Sequence, residues 1–163
     1  MGRFLAWLQV PVPPEKRVQF VARTVLLMVI WNAIVLFWAS FYVDLRWVAE
    51  GQLTYVLHLG VLKFSTAVLK EEVFFRLIPL GIAILYSRVS YLTLFMLVVS
   101  SILFGFVHGS WANILLQGID GVGLAIVFIK CGATQNQFMR GLFWSTAAHL
   151  LFNGIVITLS VLW

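Results

Sequence analysis

The chain of 163 residues is 62% hydrophobic and only 10% charged, and its mean hydropathy is +1.01. An ordinary soluble domain carries about 25% charged residues, so this composition excludes a soluble fold and indicates a protein whose solvent is lipid. The net charge of +5 does not predict a nucleic-acid partner. Several of the basic residues precede the first long apolar run, as at a cytoplasmic membrane flank: Arg3, Lys16, Arg17 and Arg23.

The chain divides into three regions in sequence order. Residues 1–23 are basic, and their apolar stretch is short and ends at Pro11, so we expect an interfacial segment lying on the membrane. Residues 24–52 contain an uncharged run, Thr24 to Val43, that is long enough to cross a bilayer, followed by a polar loop. Residues 53–163 form the third region, which we interpret as a membrane-embedded catalytic core.

The segment from Leu53 to Tyr86 is apolar but carries several charged residues. A straight helix of about 34 residues would measure roughly 51 Å, which exceeds a hydrocarbon core of about 30 Å. The segment must therefore tilt, break or project into water, and Pro79 is the expected kink. The later segments are an apolar run from Tyr91 to His108, another from Trp111 to Ile129, a polar loop from Lys130 to Arg140 and a last apolar run from Gly141 to Trp163.

These segments predict an all-α membrane helix bundle of about five spans, in contact with membrane lipid. If the N-terminus is cytoplasmic and each segment crosses once, seven Lys and Arg residues fall in inside loops and one falls in an outside loop. The positive-inside rule therefore predicts a cytoplasmic N-terminus. The expected location is a cell membrane or an endomembrane.

Charged residues within the second apolar segment need an explanation, because each costs about 2.5–3.5 kcal/mol at the bilayer centre. Glu72 and Arg76 are four residues apart and share a helix face, so they can pair. Glu71 lies about 100° around the helix and has no local partner at that spacing. An unpaired carboxylate in an apolar setting is a candidate general base.

Two further pairs repeat the four-residue spacing. Phe104 precedes His108 in the third apolar segment, and His149 precedes Asn153 in the last one. Each helix can therefore turn one polar or aromatic face toward a shared interior. Taken singly, an intramembrane histidine is an ordinary interhelical hydrogen bonder and an asparagine is an ordinary packing residue. Together with the charged residues of the second segment, they favour a functional site.

The three motifs occur in a specific order along the chain. EExxxR occupies residues 71–76, FxxxH occupies residues 104–108 and HxxxN occupies residues 149–153. The set resembles the three motifs of the CAAX protease and bacteriocin-processing family, called CPBP or Abi proteins, over about residues 53–163. One difference is Leu77, where the family often has glycine after the motif arginine.

The resemblance implies an intramembrane glutamate endopeptidase that cleaves a peptide bond near the membrane surface. The candidate catalytic residues are Glu71, Glu72, Arg76, His108, His149 and Asn153. By this resemblance Glu71, helped by His108, activates a water molecule. His149 and Asn153 stabilise the oxyanion, and the remaining pair orients these groups. No cofactor is implied. The substrate is a peptide or protein, with prenylated peptides among the candidates.

Two alternatives stay open at this stage. In a metalloendopeptidase, Glu71, His108 and His149 would be zinc ligands with water in an open position, although the chain has no HExxH motif. In a non-catalytic membrane scaffold or small transporter, the same interior charges would bind a partner or an ion. The sequence assigns no role to four other polar residues: Asp120, His58, Lys63 and Lys70.

Overall fold

The computed structural model describes residues 2–42, 60–109 and 113–162, and no β-strand occurs within these ranges. The α-helices are α1 (Gly2–Gln9), α2 (Arg17–Ala39), α3 (60–72), α4 (Ile78–Ser87), α5 (Tyr91–Val107), α6 (Ile119–Cys131) and α7 (Phe138–Leu162). Short 3₁₀ turns occupy Pro14–Lys16 and Ala133–Gln135, and π-helical turns occupy Val73–Leu77 and Ile114–Gly118. The predicted all-α fold is confirmed.

Three helical segments in the described ranges are long and apolar enough to cross a membrane. They are Pro14–Ala39, Ile114–Gln135 and Phe138–Leu159, and Tyr91–Val107 is a shorter apolar helix. Large apolar side chains cover much of the outer surface, for example Phe37 at 62% exposed and Phe41 at 64%. Such a surface is stable only against lipid, so the helices form a membrane bundle. The count of about five spans and the cytoplasmic N-terminus stay predictions.

The first span begins earlier than its charge pattern indicates. We expected it to start at Thr24, after the basic residues, but α2 begins at Arg17. Arg17 is buried, and its guanidinium donates to the carbonyl of Val12 and to Oε1 of Gln135, both at 3.3 Å. Tertiary partners thus place a charged residue inside the bundle, where the sequence suggested a flank at the water interface.

The polar loop before the last span is also shorter than predicted. Lys130 lies in the last turn of α6 rather than in a loop, and α7 begins at Phe138 rather than Gly141. The Lys130 ammonium donates to the backbone carbonyls of Trp7 and Val10, each at 2.6 Å. Because the N-terminal segment supplies these acceptors, the lysine is only 4% exposed and the helix continues past it.

Three connections meet at one end of the bundle. The side-chain amide of Gln9 donates to the carbonyl of Val89 at 2.9 Å, and the backbone N–H of Val12 donates to the carbonyl of Lys130 at 2.9 Å. The segment before α2, the α4–α5 connection and the α6–α7 connection therefore lie together. The charge count assigned the same three connections to one side of the membrane.

The α-helix in the charged segment from Leu53 to Tyr86 is interrupted before Pro79. Residues 53–59 lie outside the described ranges, and from there on the helix runs through α3 into the π-helical turn Val73–Leu77. The N–H of Ile78 donates to the carbonyl of Val73, five residues back. Pro79 follows in the first turn of α4. A proline ring clashes with the carbonyl four residues earlier, and the wider turn relieves this clash. The predicted irregularity thus begins within the charged motif itself.

Candidate active site

The motif residues lie on three helical segments that meet inside the bundle. Glu71 and Glu72 end α3, and Arg76 lies in the π-helical turn that follows. Phe104 lies in the last turn of α5, where His108 is the C-terminal cap. The HxxxN residues lie near the middle of α7. A close approach of α5 to the turn before α6 completes the packing, since a Cβ at Gly105 would lie 2.7 Å from the carbonyl oxygen of Asn113.

Glu71 faces both histidines. Its Oε2 atom lies 4.0 Å from Nε2 of His108 and 3.8 Å from Nε2 of His149. These distances are too long for direct hydrogen bonds, and they allow one water molecule to contact all three atoms from the side. Glu71 is 32% exposed and His108 is 26% exposed, whereas His149 is buried. The structure therefore brings together the three residues that the sequence proposed for a shared site, and leaves two of them accessible.

The hydrogen-bond partners of the two imidazoles decide which nitrogen carries the proton. Nδ1 of His108 lies 2.6 Å from the carbonyl oxygen of Phe104, and Nδ1 of His149 lies 2.9 Å from Oε1 of Glu72. A carbonyl or an ionised carboxylate can only accept, so both Nδ1 atoms must donate. In the neutral form, each Nε2 atom is then an acceptor directed toward Glu71; a protonated ring would make it a donor.

Glu72 and Arg76 form the buried ion pair that their spacing predicted. Nη1 of Arg76 lies 3.3 Å from Oε1 of Glu72, and the two side chains are 1% and 0% exposed. The same Oε1 atom accepts from His149, so one carboxylate oxygen joins α3, the π-helical turn and α7. Glu72 is thus bound to Arg76 and His149, whereas its neighbour Glu71 lies 3.8 Å or more from the two histidines. Adjacent glutamates therefore have distinct environments.

Phe104 is the aromatic centre of the site. Its ring centroid lies 4.1 Å from the Arg76 guanidinium carbon, 4.6 Å from the His108 ring centroid and 5.6 Å from the His149 ring centroid. A cation on the face of a ring and edge-to-face ring pairs are both favourable contacts. The phenylalanine of FxxxH therefore holds the arginine of the first motif and both histidines in register.

Two further polar residues adjoin this cluster, and the sequence did not assign a role to either. Asp120 of α6 is 2% exposed, and the side-chain amide of Asn32 in α2 donates to both of its carboxylate oxygens at 2.9 Å. Asp120 also interacts electrostatically with Arg76. The available signal for Asn32 was its position as a strongly polar side chain in the apolar stretch from Val25 to Ala39.

The remaining candidates are less connected. Asn153 lies one turn beyond His149 on α7 and is half-buried, and it forms no hydrogen bond or ion pair with the other motif residues in the described part of the chain. Lys63 and Lys70 are exposed on α3. His58 lies outside the described residues. The two lysines therefore do not contribute to the site's geometry.

The metallopeptidase alternative requires His, Cys, Asp or Glu side chains placed around one metal ion. Among the residues that the structure describes, no three His, Cys, Asp or Glu side chains are arranged to hold a metal ion. A catalytic zinc site needs three such ligands around an open position. Metal dependence stays a prediction that chelation tests.

Comparison with known protein families complements this geometry. The family model for type II CAAX prenyl endopeptidases, Rce1-like, matches residues 52–155, which is more than half of the chain. The chain belongs to the Rce1-like family. The resemblance read from the three motifs is confirmed, and this Rce1-like chain is an integral membrane protease of the CAAX type that acts on a membrane-embedded peptide. No curated protein and no solved structure gives a significant match. The Rce1-like match leaves α1 and α2 outside its range.

Proposed function

We propose that this Rce1-like protein is a glutamate endopeptidase in which Glu71 is the general base that activates water. The observation that carries the proposal is the position of its Oε2 atom within 4.0 Å of both imidazole Nε2 atoms. Glu72 cannot take this role, because it is fully buried and bound to Arg76 and His149. Of the two adjacent carboxylates, only Glu71 is accessible to water and to a peptide.

In the first step, a water molecule lies between Glu71 and the two histidines. Glu71 accepts one proton of the water, and the lone pair on Nε2 of His108 accepts a hydrogen bond from the other. These two contacts direct the water oxygen toward the scissile carbonyl carbon. The tautomer of His108 suits this role, because the Phe104 carbonyl holds its proton on Nδ1.

In the second step, the carbonyl oxygen becomes an oxyanion that needs donors. His149, held by its Nδ1–H bond to Glu72, donates to the oxyanion when Nε2 also carries a proton. The side-chain amide of Asn153, one turn further along α7, supplies a second donor once substrate is bound. Such donors contribute about 2.7–4 kcal/mol each in well-studied oxyanion sites.

The last step returns the proton. Glu71 carries the proton taken from water and delivers it to the leaving nitrogen as the carbon–nitrogen bond breaks. The products are a carboxylic acid and an amine, and Glu71 is again ionised. No metal ion takes part in this sequence. Glu72 and Arg76 stay in place throughout and orient His149.

The substrate that we propose is a prenylated peptide. A shallow, mostly apolar groove of about 410 Å³ runs along α7. It is lined by Leu150, Leu151, Gly154, Ile155, Thr158 and Leu159. An isoprenoid chain in this groove would lie along the same helix that carries His149 and Asn153. The family's description as prenyl endopeptidases supports the same class of substrate.

The test is cleavage of a panel of prenylated and unprenylated CAAX peptides by the purified protein in detergent. Glu71→Gln should lower kcat by about 10³-fold, because it removes the base and keeps the shape of the side chain. Glu15→Gln is the matched control, since Glu15 is exposed in the turn before α2. Wild-type rates in Glu71→Gln would refute the base assignment. Failure of the wild-type protein to cleave any peptide would favour the scaffold or transporter alternative.

A further inference from the structure

The span α2 lies outside the matched family region, yet it contacts the buried polar cluster through Asn32. The Asn32 Nδ2 atom donates to the Met28 carbonyl at 3.0 Å and to both carboxylate oxygens of Asp120 at 2.9 Å. A backbone carbonyl only accepts, so the amide nitrogen must face both Met28 and Asp120. Asn32 is therefore a fixed donor, and the Asp120 side chain accepts from it.

The Arg76 guanidinium packs between Glu72 and helix α6. On one side is Oε1 of Glu72, 3.3 Å from Nη1. On the other side is α6: a Cβ at Gly121 would lie 3.4 Å from Nη2, and Asp120 immediately precedes this glycine. The contact with Glu72 lacks the alignment of a hydrogen bond, and within the described ranges both Nη atoms are buried without a hydrogen-bond partner. Electrostatic attraction from Glu72, Glu71 and Asp120, together with the Phe104 ring, then helps to position the guanidinium.

We propose that Asn32 and Asp120 form a positioning pair that holds Arg76 and thereby presents Glu72 to His149. The inference rests on the proposed function, because it explains how the oxyanion donor is kept oriented.

The first test is Asp120→Asn, which removes the charge and keeps the size of the side chain. We expect kcat to fall about tenfold and KM to change less than about twofold, because the pair acts through the oxyanion donor rather than through substrate binding. Ser100→Ala is the matched control. Ser100 is also buried in the bundle, but its hydroxyl bonds only within its own helix, to the carbonyl of Leu97. It should retain wild-type kcat.

The second test is Asn32→Leu, which keeps Asp120 and leaves it without its donor. This milder change is informative even if Asp120→Asn fails to fold. We expect Asn32→Leu to lower kcat with KM unchanged. The double variant should be no slower than Asp120→Asn alone, because residues in one chain of contacts give non-additive effects. Additive losses, or a kcat equal to that of Ser100→Ala, would overturn the proposal.

A spectroscopic readout separates positioning from general destabilisation. The chain has only three histidines, so ¹⁵N-histidine labelling gives a small set of imidazole signals. Asn32→Leu and Asp120→Asn should both shift the signals of His149 more than those of His108. Unchanged His149 signals would contradict the inference. If Glu71→Gln is inactive while both variants match wild type, the proposed function stands and only this inference fails.

Discussion

The Nδ1 atom of His149 lies 2.9 Å from Oε1 of Glu72, although 77 residues separate them in the sequence. This hydrogen bond joins the first and the last motif of the family directly. It requires Nδ1 to carry a proton, because an ionised carboxylate only accepts. It therefore turns Nε2 of His149 toward Glu71, 3.8 Å away. The contact between motifs sets the geometry on which the proposed mechanism depends.

We expect Arg76 to be needed for folding as well as for activity. Arg76→Ala leaves Glu72 buried without its cation, which costs about 3–5 kcal/mol where a pair is buried. The variant should show a lower folded yield, a lower melting temperature and little activity. The double change Glu72→Gln with Arg76→Met should recover yield better than activity. Arg140→Ala, at an exposed position, is the control. An Arg76→Ala protein that melts like wild type would contradict the ion-pair interpretation.

His149 and Asn153 should affect turnover more than substrate affinity. His149→Ala removes the donor of the oxyanion site, so kcat should fall about 10²–10³-fold while KM changes little. Asn153→Ala should lower kcat less, because the amide lies outside the hydrogen-bond network of the cluster. Met139→Ala, at an exposed position near the start of the same helix, should have no effect. A large rise in KM with kcat unchanged would assign both residues to substrate binding instead.

Activity should survive removal of metal ions. The mechanism uses only Glu71 and the histidines, so incubation with a strong chelator followed by desalting should leave kcat/KM within about twofold of the untreated value. A known zinc protease treated in parallel shows that chelation was complete. Loss of activity that returns with zinc would instead make Glu71, His108 and His149 ligands, and the glutamate mechanism would be wrong.

The orientation can be tested with engineered cysteines, because the native Cys131 is fully buried and is a poor probe. In a Cys131→Ala background, Gln137→Cys places a thiol at the end of the bundle where the three connections meet. Tyr42→Cys places one beyond the far end of α2, at a residue that is 84% exposed. With a cytoplasmic N-terminus, an impermeant thiol reagent should label Tyr42→Cys in sealed cells and Gln137→Cys only after permeabilisation. The reverse pattern would invert the topology.

The sequence by itself determined the class of the protein and proposed the residues of its site. A composition of 62% hydrophobic residues leaves lipid as the only suitable solvent. The four-residue spacing within each motif is a property of the α-helix, so the shared faces of Glu72 with Arg76 and of His149 with Asn153 followed without a structure. Helix α5 was predicted to within a residue, since its apolar run is bounded by Ser90 and His108.

Only the tertiary structure decided how these helices meet. Arg17 was predicted in the interfacial segment and Lys130 in a loop, but both are buried. Arg17 donates to the Val12 carbonyl and to the Gln135 side chain, and Lys130 donates to carbonyls of the N-terminal segment. Asn32 carried little signal, since its partner Asp120 lies 88 residues away. Local periodicity shows which residues share a helix face. It does not show which residues meet across helices, or which histidine tautomers these contacts impose, because both depend on packing between segments that are distant in sequence.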